Sequence, residues 1–493
     1  MADTPIPLTV SAAAVDTWTD AADVVVVGYG MAGVCAALEA AHEGRQVLIV
    51  ERASGWGGSS ALAGGHFYLG GGTAVQQACG FDDSAEAMYQ YLAAVSPAPD
   101  HRKLRDYADD SVGHFNWLEA HGVPFERSYH AQKNVLQGTS ECLIWTGNEK
   151  VWPFRDKAKP APRGHKVAFE GYEGGGGLAV GELAKAAERA GVRALFDTRI
   201  VALVVDAQHQ VVGVKARSVE REFFIRAQRG VVLAAGGFGM NRDMIEQYTP
   251  LLAIEPFVVQ GNPGDDGMGI RLGQSAGGAV QHMENFFATA PFYPPENLLK
   301  CILVNKEGKR FVAEDSYHAR TTVHCLQQPE QKAYLIADAE IFAYPQYAEM
   351  MNIQLIDGWD SVAEMESALA LPAGSLVSTL EQYNQHARRG EDPEFSKYPD
   401  WIKPLDQGPY AAFDLTFGKA IYVGFTLGGL ATNADAEVLD ADGQAIAGLY
   451  AAGACASNIA QDSDGYSSGT CLGEASYFGR RAGRSAARRA ASH

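Results

Sequence analysis

Runs of apolar residues mark out the elements of this chain before any motif is considered. Asp23-Val-Val-Val-Val27 carries no charge after its first residue, the pattern of a parallel strand buried on both faces. Glycines at 28, 30 and 33 follow, and Ala36, Ala37, Leu38, Ala40 and Ala41 continue as a close-packing helix. A second strand is predicted from Val47 to Val50, ending at Glu51. Helical spacing recurs over 84–121 through Tyr89, Leu92 and Val95, then Leu104, Tyr107, Phe115 and Leu118. Gly174 to Gly177 precede a helix over 178–189 that Gly191 stops. Short antiparallel strands are expected at 199–205, 211–217 and 221–225. A second buried strand, from Arg229, runs into a glycine turn at Gly236-Gly237, and 264–279 reads as a further glycine-opened helix. Residues 1–20 read as an irregular arm. From 286 to 415 the chain turns richer in Pro, Tyr and polar residues, and the glycine-rich style resumes near Gly424. The pattern is that of one domain split by an insertion.

The first strand, turn, helix and second strand have the spacing of a dinucleotide site. Gly28 permits the tight turn, Gly30 lets the backbone approach a pyrophosphate, and Gly33 lets the helix pack on the strand. The helix start offers free N–H groups to phosphates, and the Glu51 carboxylate suits ribose hydroxyls. Behind this motif, residues 52–66 and 70–72 form a Gly- and Ser-rich loop that offers backbone N–H groups to a planar or anionic ligand.

Composition narrows the class. The chain has 493 residues, enough for two or three domains, with 47% apolar and 20% charged residues. A net charge of -19 argues against nucleic acid and against an anionic membrane surface as partners. Cys35, Cys79, Cys142, Cys301, Cys325, Cys455 and Cys471 are scattered without a CxxC, so neither a metal site nor a disulfide framework is expected. No apolar run approaches the ~18 residues of a membrane span, and the acidic N-terminus lacks secretory features. A cytoplasmic protein is expected.

The set GYGMAG (28–33), GGSSALAGG (57–65), VVLAAGG (231–237), GDDGMGI (264–270), GKRF (308–311) with a following acid, and IAGLYAAG (446–453) resembles the fumarate reductase and 3-ketosteroid dehydrogenase group of flavoproteins. The resemblance implies an α/β fold. A Rossmann-like FAD-binding domain, 1–285 and 416–493, would be split by an inserted α+β capping (substrate) domain, 286–415. It implies FAD contacts from Gly28, Gly30, Ala32, Gly33, Glu51 and Arg52, and from Gly58, Ser59, Ser60, Gly64 and Gly65. Further contacts are implied at Ala235, Gly236, Gly237 and Asp266, and at Gly453, Ala454 and Leu472. Val201 would meet the adenine through its backbone. The succinate dehydrogenase branch holds its flavin on a histidine, and Gly58 occupies that place here, so noncovalent FAD is expected. His66 follows the glycine pair and is read as a loop residue.

The dicarboxylate branch clamps its substrate with arginines and histidines. Here the GKRF motif leads into Asp315-Ser-Tyr-His-Ala-Arg320, and the family's histidine-proline segment is replaced by Gln281 to Phe287. A dianion without paired cations would face a large desolvation cost, so the site is expected to take a neutral apolar substrate. Arg320 keeps a dicarboxylate alternative open. Tyr317 and Tyr466 match tyrosine positions of the ketosteroid dehydrogenases, and Tyr466-Ser-Ser468 resembles the 3-ketosteroid Δ4-(5α)-dehydrogenases.

That resemblance implies hydride loss from steroid C5 to flavin N5 and proton loss from C4. Tyr466 is the expected proton acceptor, with Ser468 passing the proton towards solvent. Tyr317 and the N–H of Gly473 are the expected partners of the 3-keto oxygen, although the two tyrosines could exchange roles. The helix near Gly473 should point its N-terminus at the flavin pyrimidine edge, stabilising charge there. A Δ1-dehydrogenase, a fumarate reductase-like ene-reductase, a flavin monooxygenase and a non-catalytic flavoprotein are the alternatives. The electron acceptor has no signature.

Overall fold

A computed structural model describes residues 8–133, 137–291, 293, 296–342 and 354–491. The four valines after Asp23 lie in the strand β1 (Asp20–Val27), and the alanine-rich run forms α1 (Met31–His42). Strand β2 (Val47–Val50) pairs in parallel with β1, Val24 opposite Val47 and Val27 opposite Val50. On the other side of β1 lies β3 (Glu222–Leu233), and against it β4 (Ala445–Ala451), both parallel. Leu233 stands opposite both Val27 and Ala451, so three strands end at one level. The turns after them open on the carboxyl edge of the sheet, where open α/β sheets bind ligands.

Two sequence expectations change here. The separate strands expected at 221–225 and from 229 are one strand, β3. Its first half pairs antiparallel with Val211–Arg217 and its second half in parallel with β1, with a register shift between Ala227 and Gly230. The arm is not wholly irregular: Thr9–Ser11 adds a parallel strand to Arg199–Val205 at the far edge of the nine-stranded sheet. A short strand pairs there because backbone N–H and C=O groups on a sheet edge need partners, whatever the side chains signal. The helical stretch 84–121 resolves into Ala85–Val95, His101–Asp109 and Ser111–Ala120.

The last helix, α2 (Thr470–Arg488), brings the C-terminus back across α1. Glycine makes that crossing close. A Cβ at Gly479 would stand 2.4 Å from the Ala32 carbonyl oxygen, and one at Gly483 2.0 Å from that of Ala36. Glu39 on α1, buried, holds Arg480 at 2.9 Å across the same interface.

Between β3 and β4 in sequence, Ile302–Asn305, Ala333–Asp338, Tyr410–Asp414 and Gln354–Trp359 form an antiparallel four-stranded sheet in that order. Its apolar core also takes in Phe238, Met244, Ile245 and Phe257, which lie before residue 286. Arg310 of the GKRF motif is buried there, with Glu314 and Asp392 at 2.8 Å each. Among the described residues no helix is long and apolar enough to cross a membrane.

The crossing yields a paired prediction. Gly483→Leu should lower stability in denaturant melts by about 1–3 kcal/mol, because the side chain has only backbone to displace. Gly113→Ala, on an exposed helix position with nothing within 4 Å of its Cβ, should raise stability by about 0.5–1 kcal/mol.

Candidate active site

One cavity of about 760 Å³ runs along the carboxyl edge of the sheet. At one end the walls are turns and small residues. Gly28 has φ +103, and a Cβ there would stand 2.4 Å from the Ala234 carbonyl oxygen. The Glu51 carboxylate accepts the Tyr29 N–H through Oε2 and the Ala53 N–H through Oε1, each at 2.8 Å. It is thereby locked at the end of β2. Ser60 accepts the Met31 N–H at the start of α1 (3.2 Å), joining the Gly- and Ser-rich loop to the turn. Ser59 donates to Asp265, whose pKa burial raises although this bond opposes it. Arg52 and Arg199 both pair with Asp266, at 2.8 and 3.2 Å.

This end fits a dinucleotide. A Cβ would fill the cradle at Gly28, and α1 begins with N–H groups that have no intrahelical partners. Gly28, Gly30, Ala32, Glu51, Arg52, Gly58, Ser59, Ser60, Gly64 and Gly65 all reach the wall. So do Ala235, Gly236, Gly237, Asp266, Gly453, Ala454 and Leu472. Gly33 and Val201 do not. Gly33 faces β1, where a Cβ would stand 2.0 Å from the Gly28 carbonyl oxygen, and Val201 yields the wall to its neighbours Arg199 and Ile200. His66 is on the wall, in the strand His66–Tyr68 and not in a loop, because the chain pairs there with Gly164–Lys166.

The other end is aromatic. Phe287 lies 4.6 Å from Phe425 and 4.5 Å from Tyr466 between ring centroids, and Tyr317 lies 6.3 Å from Tyr466. Tyr317 is set at the start of the helix His318–Leu326, its N–H donated to Asn148 Oδ1 at 2.8 Å. Burial pushes the phenols of Tyr317 and Tyr466 well above 10. His318, beside Tyr317, bonds Thr289 Oγ1 through Nδ1 at 2.5 Å, and burial lowers its pKa to about 3. It is a neutral imidazole.

Ser468 lies against Tyr317, not Tyr466: its hydroxyl and the Tyr317 phenol are 2.5 Å apart. This corrects the expected Tyr466–Ser468 relay, because the serine's hydroxyl is taken by the other tyrosine. Gly473 is corrected too. Its N–H is donated to Gly469 O at 2.9 Å inside α2, so it is not available to a substrate oxygen. The N–H groups one turn earlier, at Cys471 and Leu472, belong to wall residues at a helix start.

No lysine or arginine lines the aromatic end among the described residues; Arg52 and Arg199 stand with Asp266 at the other end. Arg320 is off the wall, 2.5 Å from Asp464, which also holds His324 at 2.9 Å. The dicarboxylate alternative therefore lacks its cation. Sequence reasoning missed Phe287, Phe425, Tyr293, His318 and Glu474 as wall residues. An aromatic or acidic residue carries no periodic or motif signal of facing a cavity.

A family model described as FAD binding domain matches residues 23–469. A curated 3-oxo-5-alpha-steroid 4-dehydrogenase from Comamonas testosteroni is 30% identical, covering 88% of this chain and 93% of that one. The crystal structure of 3-ketosteroid-Δ4-(5α)-dehydrogenase from Rhodococcus jostii RHA1, in complex with 4-androstene-3,17-dione, is 42% identical with a TM-score of 0.91. It covers 97% of this chain and 99% of that one. 3-ketosteroid Δ1-dehydrogenase from Sterolibacterium denitrificans shares the fold at 20% identity and a TM-score of 0.68, over 95% of this chain and all (100%) of that one. The chain belongs to the FAD binding domain family of flavin-dependent oxidoreductases.

Proposed function

We propose that this protein is an FAD-dependent dehydrogenase that converts a saturated 5α-3-ketosteroid to the 4-ene-3-ketosteroid. The observation that carries the reading is the uncharged aromatic chamber, with two tyrosines and a serine, continuous with the dinucleotide crevice. A rigid apolar ring system loses its hydration there without any charge to compensate. The likeness to the Rhodococcus enzyme, solved with 4-androstene-3,17-dione, supports the steroid as the ring system. In this reading residues 1–285 and 416–493 hold the cofactor, and 286–415 cap the substrate.

FAD, when bound, supplies the hydride acceptor. Glu51 would hold its ribose, the Gly28–Gly33 turn its pyrophosphate, and Gly58, Ser59, Ser60, Gly64 and Gly65 the ring system. The 3-keto group makes the C4 proton acidic, and Tyr466 takes it. Tyr317, fixed by Ser468, donates to the keto oxygen together with first-turn N–H groups of α2, which stabilises charge developing there. Because Ser468 bonds Tyr317, a second reading exchanges the tyrosines, with Tyr317 as base and Ser468 as its outlet.

Anaerobic mixing with 5α-androstane-3,17-dione should bleach the flavin band and give a 4-ene-3-one. An unchanged flavin band would remove the reading, and a new C1–C2 double bond would move the protein to Δ1 chemistry. Acid precipitation should release FAD into the supernatant, since no histidine stands at Gly58; a yellow pellet would show covalent attachment. Tyr466→Phe should slow bleaching by at least ~10²-fold with FAD retained. A larger loss in Tyr317→Phe than in Tyr466→Phe would select the exchanged reading.

A further inference from the structure

This inference rests on the steroid dehydrogenase reading with Tyr466 as base, and concerns where the proton goes afterwards. A phenol whose pKa burial holds well above 10 is protonated at neutral pH. It can accept a substrate proton only while handing its own away. Ser468 is engaged with Tyr317. The hydrogen-bonding partner of the Tyr466 phenol is instead the Cys471 thiol, in the first turn of α2. Three residues further along α2, and so on the same helix face, stands Glu474. All three side chains belong to the cavity wall.

Glu474 is out of keeping with that wall. It is buried, 6% exposed, in surroundings otherwise made of tyrosine, thiol and alkyl groups. Its Oε2 accepts the N–H groups of Ile459 (2.6 Å) and Ala460 (2.9 Å), while Oε1 receives no hydrogen bond from the described residues. Lys103, whose charge acts on it, is already bonded to Thr432, Ser457 and Asn458 at 2.9, 3.1 and 3.2 Å. A helix position needs no carboxylate for packing, and burying one with a vacant oxygen costs free energy unless a proton or donor reaches it.

We propose that Glu474 is the terminal acceptor of the proton lost from steroid C4, reached from Tyr466 through the Cys471 thiol. The C4–H bond breaks and its electron pair enters the new C4–C5 double bond. The proton joins the Tyr466 oxygen as the phenolic proton passes to Cys471 Sγ, and the thiol proton passes to the free oxygen of Glu474. None of the three side chains changes oxidation state. Glu474 ends the step with one added proton. The electrons leave with the C5 hydride of the reaction already proposed.

The groups around Glu474 are Lys103 and Tyr107 on the helix His101–Asp109, Tyr466 on the preceding loop, and Cys471 on α2. Burial raises the Glu474 carboxyl to about 7, against the pull of the two N–H groups and of Lys103. Burial lowers Lys103 to about 8, so these two alone of the set titrate near neutrality. An acceptor must be deprotonated, so bleaching should speed up as pH rises through about 7.

The experiment is anaerobic rapid mixing of holoenzyme with 5α-androstane-3,17-dione across that pH range, together with pH-difference infrared spectra. Glu474→Gln should slow bleaching by about 10²-fold and flatten the pH profile. It should also remove a protonated-carboxyl band that titrates near 7 in the unaltered protein. The amide oxygen still accepts the two N–H groups, so the fold should persist. If it does not, Cys471→Ala, expected to be slow, and Cys471→Ser, expected to recover, read the same path. Bleaching in Glu474→Gln at the original rate, or a retained pH dependence that implicates Lys103, overturns the proposal. So does a Cys471→Ala variant as fast as Cys471→Ser. Absence of bleaching in the unaltered protein would instead strike at the steroid reading.

Discussion

The backbone contact between α1 and α2 is the constraint on which the rest of the structure depends. Gly479 and Gly483 let α2 settle directly on the carbonyls of Ala32 and Ala36, at distances no side chain could occupy. Because α2 begins at Thr470, that close crossing carries the 466–474 segment to the wall shared with the Gly28–Gly33 turn. Residues more than four hundred positions apart thus meet over one cavity. The Glu39–Arg480 pair adds direction to this contact, but the separation of the helices is set by the missing side chains.

Charge is distributed along the cavity by the same economy. Acids and arginines cluster at the crevice end, where Asp266 ties down Arg52 and Arg199. The other cations near the second core are committed elsewhere: Arg310 to Glu314 and Asp392, Arg320 to Asp464. Burying an arginine without such partners would be costly, and each pairing also removes a cation from the chamber. The aromatic end is left neutral, which suits an uncharged ring system and opposes a dianion.

Burial then dictates protonation. Tyr317, Tyr466 and Cys471 are pushed up and stay protonated; His318 is pushed down and stays neutral. Proton movement at neutral pH therefore needs a group whose burial leaves it near 7, and Glu474 is the one on this wall with that property. In the proposed reaction, the tyrosine sets the geometry of proton removal and the carboxylate provides its driving force.

The sequence by itself determined the dinucleotide half of the site. Valine runs, glycines at fixed intervals and an acid at the end of β2 are local signals, and each follows from a local rule of strand burial, turn conformation or helix start. It also carried Tyr317 and Tyr466 through their places beside recognisable motifs. Only the tertiary structure decided that β3 is one strand serving two pairing directions, since pairing partners are chosen across the sheet. Ser468 turning to Tyr317, and the Gly473 N–H being spent inside α2, depend on which atoms lie within 3 Å. Glu474 was invisible for the same reason: a glutamate early in a helix is ordinarily a solvated residue. What makes it chemical here is the wall that α1 and α2 close around it, and no local pattern encodes that wall.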